Sequence, residues 1–363
     1  MPMPRRPLAP PPSPPCGPPD VAADASARAA VSPGQGPVSR SAVAPAVAAN
    51  RAPSPVAGSR SERECEAAAT TESATGVAPI VNALTIDVED YFQVSAFAPH
   101  IARSDWERRE CRIERNVDRI LELLARHDTK ATFFTLGWIA ERYPQLVRAV
   151  VAQGHELASH GYGHQRASDL TPAEFCADIE RAKGILEHTS GEAVLGYRAP
   201  SFSIAGPNLW ALDCLARTGH RYSSSIYPVR HDHYGMPDAP RFAHPVAGGA
   251  LLEIPPTTLR LFDRNLPSSG GGFFRLLPYG VSRWMLRQVN MRDRQAAVFY
   301  FHPWELDAGQ PRIDGLSAKT RFRHYLNIGK MPARLDRLLA DFAWGRMDDI
   351  FLGRRGAQLP ARP

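Results

Sequence analysis

The chain has 363 residues, 44% of them hydrophobic, and a formal net charge of +6. That excludes a small disulfide-stapled module and leaves room for two ordinary domains or one large α/β domain. Five cysteines, Cys16, Cys65, Cys111, Cys176 and Cys214, are odd in number, far apart and form no CxxC, so free thiols are expected rather than a disulfide framework or a thiolate zinc site.

Residues 1–78 are rich in Pro, Ala, Ser and Gly and nearly devoid of large aliphatic or aromatic side chains. Such a segment cannot bury enough apolar surface to offset ordering entropy, and a disordered tail is expected there. The same is expected of 353–363, which leaves 79–352 as the folded domain, including a C-terminal extension from about 220. Arg5-Arg6 is a twin-arginine pair, but prolines follow where a signal needs an apolar run, and Cys16 lacks the run that a lipoprotein signal needs. No stretch approaches the ~20 apolar residues of a membrane-spanning helix. A soluble, cytoplasmic protein is expected.

Past the tail the pattern alternates strand and helix. Asn82–Val88 reads as a buried strand, and the spacing of Ile113, Val117, Ile120, Leu121 and Leu124 predicts an amphipathic helix. Ala131–Leu136 is a second strand, a helix through Leu146 to Val151 stops at Gly154, and a third strand ends at His160. Thr171-Pro172-Ala173-Glu174 is a capping box with proline at the first helical position, opening a helix that runs to about His188 before Gly191. Ala193–Arg198 is a fourth strand, followed by a helix from Leu209 to Arg217. The strand Leu251–Ile254, a Gly270-Gly271-Gly272 loop, a helix near Ser282–Val289, the strand Ala296–Phe301 and a last helix through Leu335 to Phe342 complete the series. Repeated βα units predict a parallel sheet, open or closed into a barrel.

The polar residues of interest fall at predicted C-terminal ends of strands, which face one side of a β/α barrel, where active sites collect. Ser159-His160-Gly161-Tyr162-Gly163-His164 holds two imidazoles four residues apart. Neutral ring nitrogens suit zinc and similar metals, and the two glycines argue for a turn rather than a helix there. Two histidines at this spacing are by themselves a weak signal. Asp87-Val88-Glu89-Asp90 crowds three carboxylates at the first strand's end. Like charges so placed repel, which a metal or use as a general base would explain. One carboxylate with two histidines makes a facial set that leaves positions open for water and substrate. Arg198 follows the fourth strand and could orient a catalytic carboxylate; His302 ends the last core strand among aromatics, a position as suited to packing as to chemistry.

The segments TIDVED, SHGYGH, RAPSF and YFHPWE resemble, in order, the successive motifs of the polysaccharide deacetylases, the NodB-homology proteins of carbohydrate esterase family 4. EIPPTT (253–258) and GGGFFRLLPY (270–279) are similar to the subgroup encoded with exosortase and exopolysaccharide clusters. The resemblance implies a distorted (β/α) barrel of about seven units, a divalent metal, usually zinc, and hydrolysis of N-acetyl groups on hexosamine polymers. It implies Asp87 as general base, Arg198 as the residue that steadies it, and His302 as general acid. His160 and His164 are then metal ligands with Glu89 or Asp90, Glu89 preferred, and Pro200, Phe202 and Trp304 line the substrate. Ser223 stands where the family pattern leads one to expect an aspartate. An N-acetylated polysaccharide is the expected partner; no nucleic-acid motif accompanies the basic residues between Arg312 and Arg355, which read as a solvated face or a surface for an anionic polymer. Two other readings keep the same fold: a small-molecule amidase or cyclic-imide hydrolase, and an inactive glycan-binding relative.

Overall fold

The computed structural model describes residues 80–232 and 234–353. The tail expected over 1–78, the segment 354–363, Cys16 and Cys65 lie outside the described residues; Cys111, Cys176 and Cys214 are free thiols.

Eleven strands are found among the described residues: β1 (Val81–Val88), β2 (Thr132–Thr135), β3 (Glu156–Ser159), β4 (Gly196–Tyr197), β5 (Tyr222–Ser223), β6 (His244–Val246), β7 (Leu251–Glu253), β8 (Thr258–Leu261), β9 (Arg264–Pro267), β10 (Val298–Phe301) and β11 (Ala343–Gly345). Seven of them run parallel in the order β10-β1-β2-β3-β4-β5-β7, with β6 added antiparallel at the edge and β11 beside the first residues of β1. No strand pairing joins β7 to β10 among the described residues. The chain just past β7 does so instead: Thr257 N–H reaches the Val298 carbonyl at 3.3 Å, and Val298 N–H reaches Thr257 Oγ1 at 2.6 Å. The result is a distorted β/α barrel of seven parallel strands.

The period-two alternation of β1 decides what points where. Leu84, Ile86 and Val88 face outward and pack with Val117, Ile120, Leu121 and Leu124 of helix α1 (Ile113–Arg126). Ala83 faces inward and joins Phe134, Ala158, Tyr222, Ile254 and Val298 in one buried cluster contributed by six strands or their immediate ends. Thr85 and Asp87 continue that inward face.

The remaining helices are α2 (Gly137–Arg142), α3 (Pro144–Ala152), α4 (Pro172–Ser190), α5 (Trp210–Arg217), α6 (Gly271–Leu276), α7 (Tyr279–Gln288), α8 (Ala318–Tyr325), α9 (Met331–Asp341) and α10 (Met347–Phe351). The capping box at Thr171 is made in full: its hydroxyl accepts from Glu174 N–H, Glu174 accepts from Thr171 N–H, and Gly191 ends α4 with φ 74°. Phe342, expected in the helix through Leu335, lies just past the end of α9 in extended backbone. The two-residue strands β4 and β5 are too short to show a period, which is why the fourth strand was expected to be longer and the fifth was not expected at all. The β8–β9 hairpin and β11 were likewise not foreseen.

Candidate active site

Asp87 lies at the end of β1 and is 2% exposed. Arg198, just past β4 and fully buried, donates from Nη1 to Asp87 Oδ1 at 2.5 Å and to Thr85 Oγ1 at 2.8 Å, and from Nη2 to Ser224 Oγ at 3.0 Å. Its guanidinium lies over the Phe134 ring, 4.1 Å from the centroid. The arginine is thus held by these three hydrogen bonds and a ring face, and it fixes the carboxylate by its first oxygen. The second, Oδ2, is 3.9 Å from His302 Nε2.

The inward alternation carries past the end of β1 to Glu89, two residues on. Glu89, His160 and His164 each offer one ligand atom, all within 4.8 Å of one another, and all three residues are buried. His160 Nδ1 is 2.8 Å from the Arg198 carbonyl, which can only accept. Nδ1 therefore carries the hydrogen and Nε2 is a bare lone pair; burial, the largest influence, pushes this imidazole down to about 4, so it is neutral at pH 7. His164 Nε2 is 2.5 Å from Glu89 Oε2, and its Nδ1 is 3.4 Å from Ser95 Oγ, which in turn accepts from Ser201. Burial pushes Glu89 up, but the imidazoles of His164, His302 and His160 outweigh it and hold the carboxyl well below its usual range. A carboxylate and two ring nitrogens, bare of solvent and facing one another, are a donor set that fits a divalent cation. The turn forms as expected at Gly161, which has φ 75° and where a Cβ would come within 2.8 Å of Asp178 Oδ2, the atom that accepts from Tyr162 N–H at 3.0 Å; the segment's other left-handed residue is His164 at φ 55°, not Gly163.

Asp90, the other candidate ligand, points elsewhere. Its Oδ1 accepts from Tyr91 N–H at 2.7 Å and its Oδ2 from Arg112 N–H at 2.5 Å, so it caps a 3-10 turn and ties down a distant loop. With both oxygens so engaged it does not join Asp87 and Glu89, and burial raises its pKa to about 6.

His302 follows β10 and is 20% exposed in its side chain. Its Nδ1 is 2.8 Å from Glu305 Oε1, while Nε2 faces Glu89 Oε1 at 3.5 Å and Asp87 Oδ2 at 3.9 Å. Glu305 is fully buried and accepts at Oε2 from Arg275 Nε at 2.6 Å; Arg275 Nη1 also donates to the carbonyls of His324 and Leu326. Burial works against charge on Glu305, but Arg275 and His302 outweigh it and keep the carboxyl below its usual range. Burial also opposes charge on His302; Glu89 and Glu305 prevail and push it up to about 9. The glycine run makes this possible: a Cβ on Gly271 would sit 2.1 Å from Glu305 Oε1, and one on Gly270 2.5 Å from the Tyr300 ring. Sequence reasoning missed the Arg275–Glu305 support, although the acid three residues past His302 is legible as an N-terminal capping pattern.

The residues expected to line substrate divide. Trp304 instead braces the donor set: its Nε1 donates to Glu89 Oε1 at 3.2 Å, its ring stacks with His302 (5.1 Å) and His324 (4.2 Å), and at 5% exposure it leaves little surface for a sugar. Pro200 is buried as the first residue of a 3-10 turn. Phe202, 4.8 Å from the Tyr300 ring, lines a cavity of about 290 Å³ together with Arg166, Asn208, Trp210 and Tyr234. Near Ser223 a carboxylate arrives from another strand: Glu253 accepts from Ser225 N–H at 2.8 Å and Ile226 N–H at 2.7 Å.

Residues 107–220 match the family described as polysaccharide deacetylase, and residues 224–352 match a domain of unknown function, DUF3473. A chitooligosaccharide deacetylase of Sinorhizobium fredii is 51% identical over 109 residues, 30% of this chain and 48% of the relative. A peptidoglycan-N-acetylglucosamine deacetylase of Bacillus cereus is 33% identical over 96 residues, 26% of this chain and 35% of the relative. Among solved structures, the allantoinase Puue is 16% identical over 76% of this chain and 91% of its own, with a TM-score of 0.49. The chain spans between about a third and a half of the length of these two curated relatives. The metal-type histidines and Arg198 fall in the first matched segment, His302 with Glu305 and Arg275 in the second, and Asp87 and Glu89 precede both; the chain carries a polysaccharide deacetylase segment over residues 107–220, joined directly to a DUF3473 region.

Proposed function

We propose that the protein is a metal-dependent hydrolase that removes N-acetyl groups from hexosamine units of a polysaccharide. The observation that carries this reading is the placing of one cation-type donor set, Glu89, His160 and His164, between the Arg198-held Asp87 and the Glu305-held His302. Zinc suits two imidazole nitrogens and a carboxylate. Bound there, it would polarise the acetamide carbonyl and acidify water.

The chain's own residues do the rest. Asp87, fixed through Oδ1, takes a proton from the attacking water at Oδ2 as the water's oxygen bonds to the carbonyl carbon. His302 Nε2–H faces the same space and gives its proton to the amide nitrogen as the carbon–nitrogen bond breaks. One water is consumed; acetate and a glycan amine leave. The cavity beside Phe202, with Trp210 and Tyr234 as aromatic walls and Arg166 and Asn208 as polar ones, suits a neighbouring sugar ring. The likeness of EIPPTT and GGGFFRLLPY to the exosortase-associated subgroup supports a role in exopolysaccharide synthesis.

The experiment is acetate release from a panel of N-acetylated oligosaccharides. Chelation is expected to abolish it and zinc to restore it; full activity in a verified metal-free sample would refute the reading.

A pH profile tests the acid. An acid works only while protonated, so activity supported by His302 is lost as pH rises through its pKa, which Glu305 holds up. With a cation on Glu89, that residue's share is reduced and Glu305's remains. Glu305→Gln is therefore expected to move the alkaline limb of kcat/KM to lower pH, read across a pH series on one oligosaccharide. An alkaline limb that stays in place would remove Glu305 from this role.

A further inference from the structure

The segment from Arg260 to Arg294 carries seven arginines against two aspartates, Asp263 and Asp293, a net of five positive charges. Two of the arginines work inside the fold, Arg275 on Glu305 and Arg283 on Asp341 (2.9 Å). The other five, Arg260, Arg264, Arg287, Arg292 and Arg294, are exposed. Asp263 pairs with Arg260 at 3.4 Å, and Asp293 pairs with Arg241 at 2.7 Å and Arg292 at 3.3 Å.

Among these cations stand large apolar side chains. Phe262, at the tip of the β8–β9 hairpin, is 89% exposed; Met291 is 71% exposed, and Trp284 and Val281 on α7 are 46% and 40% exposed. Single exposed apolar residues are ordinary, whereas a contiguous set calls for an occupant. The hairpin and the end of α7 that carry them are tied together. Arg292 Nη2 donates to the Arg260 carbonyl at 3.0 Å, and Arg241 Nη2 bonds both the Thr258 carbonyl and Asp293 Oδ2 at 2.7 Å, clamping the hairpin to the π turn that ends α7. The hairpin tip holds Phe262 and Asp263 at φ 47° and 57°, backbone that glycine or asparagine takes more readily. A phenylalanine is thus kept projecting where a turn residue would fold more easily.

We infer that this face seats the protein on an anionic phospholipid bilayer, with Phe262 and Trp284 in the boundary between headgroups and acyl chains and the arginines on the headgroups. The pairing of charge with projecting apolar groups selects this occupant. A glycan offers phosphate or carboxylate to the arginines but no apolar layer for Met291 and Val281. No helix among the described residues is long and apolar enough to cross a membrane, so the attachment is interfacial.

The test is co-sedimentation of the full chain with vesicles of phosphatidylcholine alone and of phosphatidylcholine with phosphatidylglycerol, at low and high salt. Binding is expected only to the mixed vesicles and is expected to weaken with salt. Each basic residue near such a surface contributes about 1 kcal/mol, or roughly fivefold in partitioning, so Arg260→Gln with Arg264→Gln should weaken binding by about 25-fold at low salt. Phe262→Ser with Trp284→Ser should lower it at least ~tenfold while the melting midpoint holds, since both side chains are exposed. Absence of binding to mixed vesicles, or an apolar double variant that partitions like the parent, would overturn the inference. So would a change in oligomeric state of that variant with vesicle binding intact, which would assign the face to a second copy of the chain.

Discussion

Glu89→Ala is expected to strip the protein of its metal and of its turnover, whereas Asp90→Ala keeps the metal and costs stability. The two carboxylates are adjacent in the chain yet serve opposite sides of it. Glu89 continues the inward face of β1 and closes a donor set with His160 and His164. Losing it removes one of three protein ligands and leaves only the ring nitrogens of His160 and His164 to hold a divalent ion. Removing only an outer partner of a ligand commonly costs 10–100-fold in metal affinity, and loss of the ligand itself should exceed that. Asp90 instead accepts from two backbone N–H groups, at Tyr91 and Arg112. Its deletion leaves buried donors unpaired, at about 1–3 kcal/mol each. Metal content by elemental analysis and a melting curve for both variants decide the matter. If Asp90→Ala loses the metal and Glu89→Ala retains it, the assignment of the third ligand is reversed.

That distinction was half legible in the sequence. Period-two alternation along Asn82–Val88 puts Asp87 inward, and counting two further reaches Glu89. The count assumes that extended backbone continues past the strand, whereas Glu89 N–H turns back onto the Asp87 carbonyl at 3.0 Å, so only the structure reveals where Glu89 points. The turn in SHGYGH was legible because glycine at φ 75° is cheap where a side chain would strike Asp178. The support of His302 was not. Glu305 lies three residues away and could be suspected, but Arg275 is thirty residues back, and nothing local in GGGFFR indicates that its guanidinium reaches Glu305. Trp304, which the resemblance implied would line the substrate, is instead packed against His302 and His324, and nothing local in YFHPWE indicates that stacking. What sequence order carries is the inward or outward sense of a strand and the shape of a tight turn; what it hides are pairings across the barrel.

Those hidden pairings bear on how the two matched segments work together. The donor histidines and the base-holding arginine come from the deacetylase segment, and the proposed acid comes from the DUF3473 region with its own carboxylate, arginine and glycine run. On the proposed reading the DUF3473 region supplies part of the site, and residues 80–220 expressed without it would hold the base, Asp87, but no acid.

His302→Ala tests that division of labour. An amine departs poorly until it is protonated, so loss of the acid should slow carbon–nitrogen cleavage far more than substrate binding. General acids typically contribute ~10²–10⁴-fold, and kcat is expected to fall on that scale with KM little changed. Metal content should stay intact, because Glu89, His160 and His164 are untouched. A packing role among Tyr300, Trp304 and Glu305 predicts instead a lower melting midpoint with turnover of the folded fraction preserved, so the melting curve must accompany the kinetics. Turnover near that of the parent would place the acid elsewhere. Asp307 is a poor substitute, since Arg112 holds it at 2.6 Å and Arg115 at 3.0 Å, and Glu305 is sealed behind His302 by Arg275. Loss of metal would make His302 a fourth ligand, drawn in from its 3.5 Å position beside Glu89. A fall in kcat with metal, midpoint and KM preserved is the one pattern that a proton donor, and neither a ligand nor a packing residue, produces.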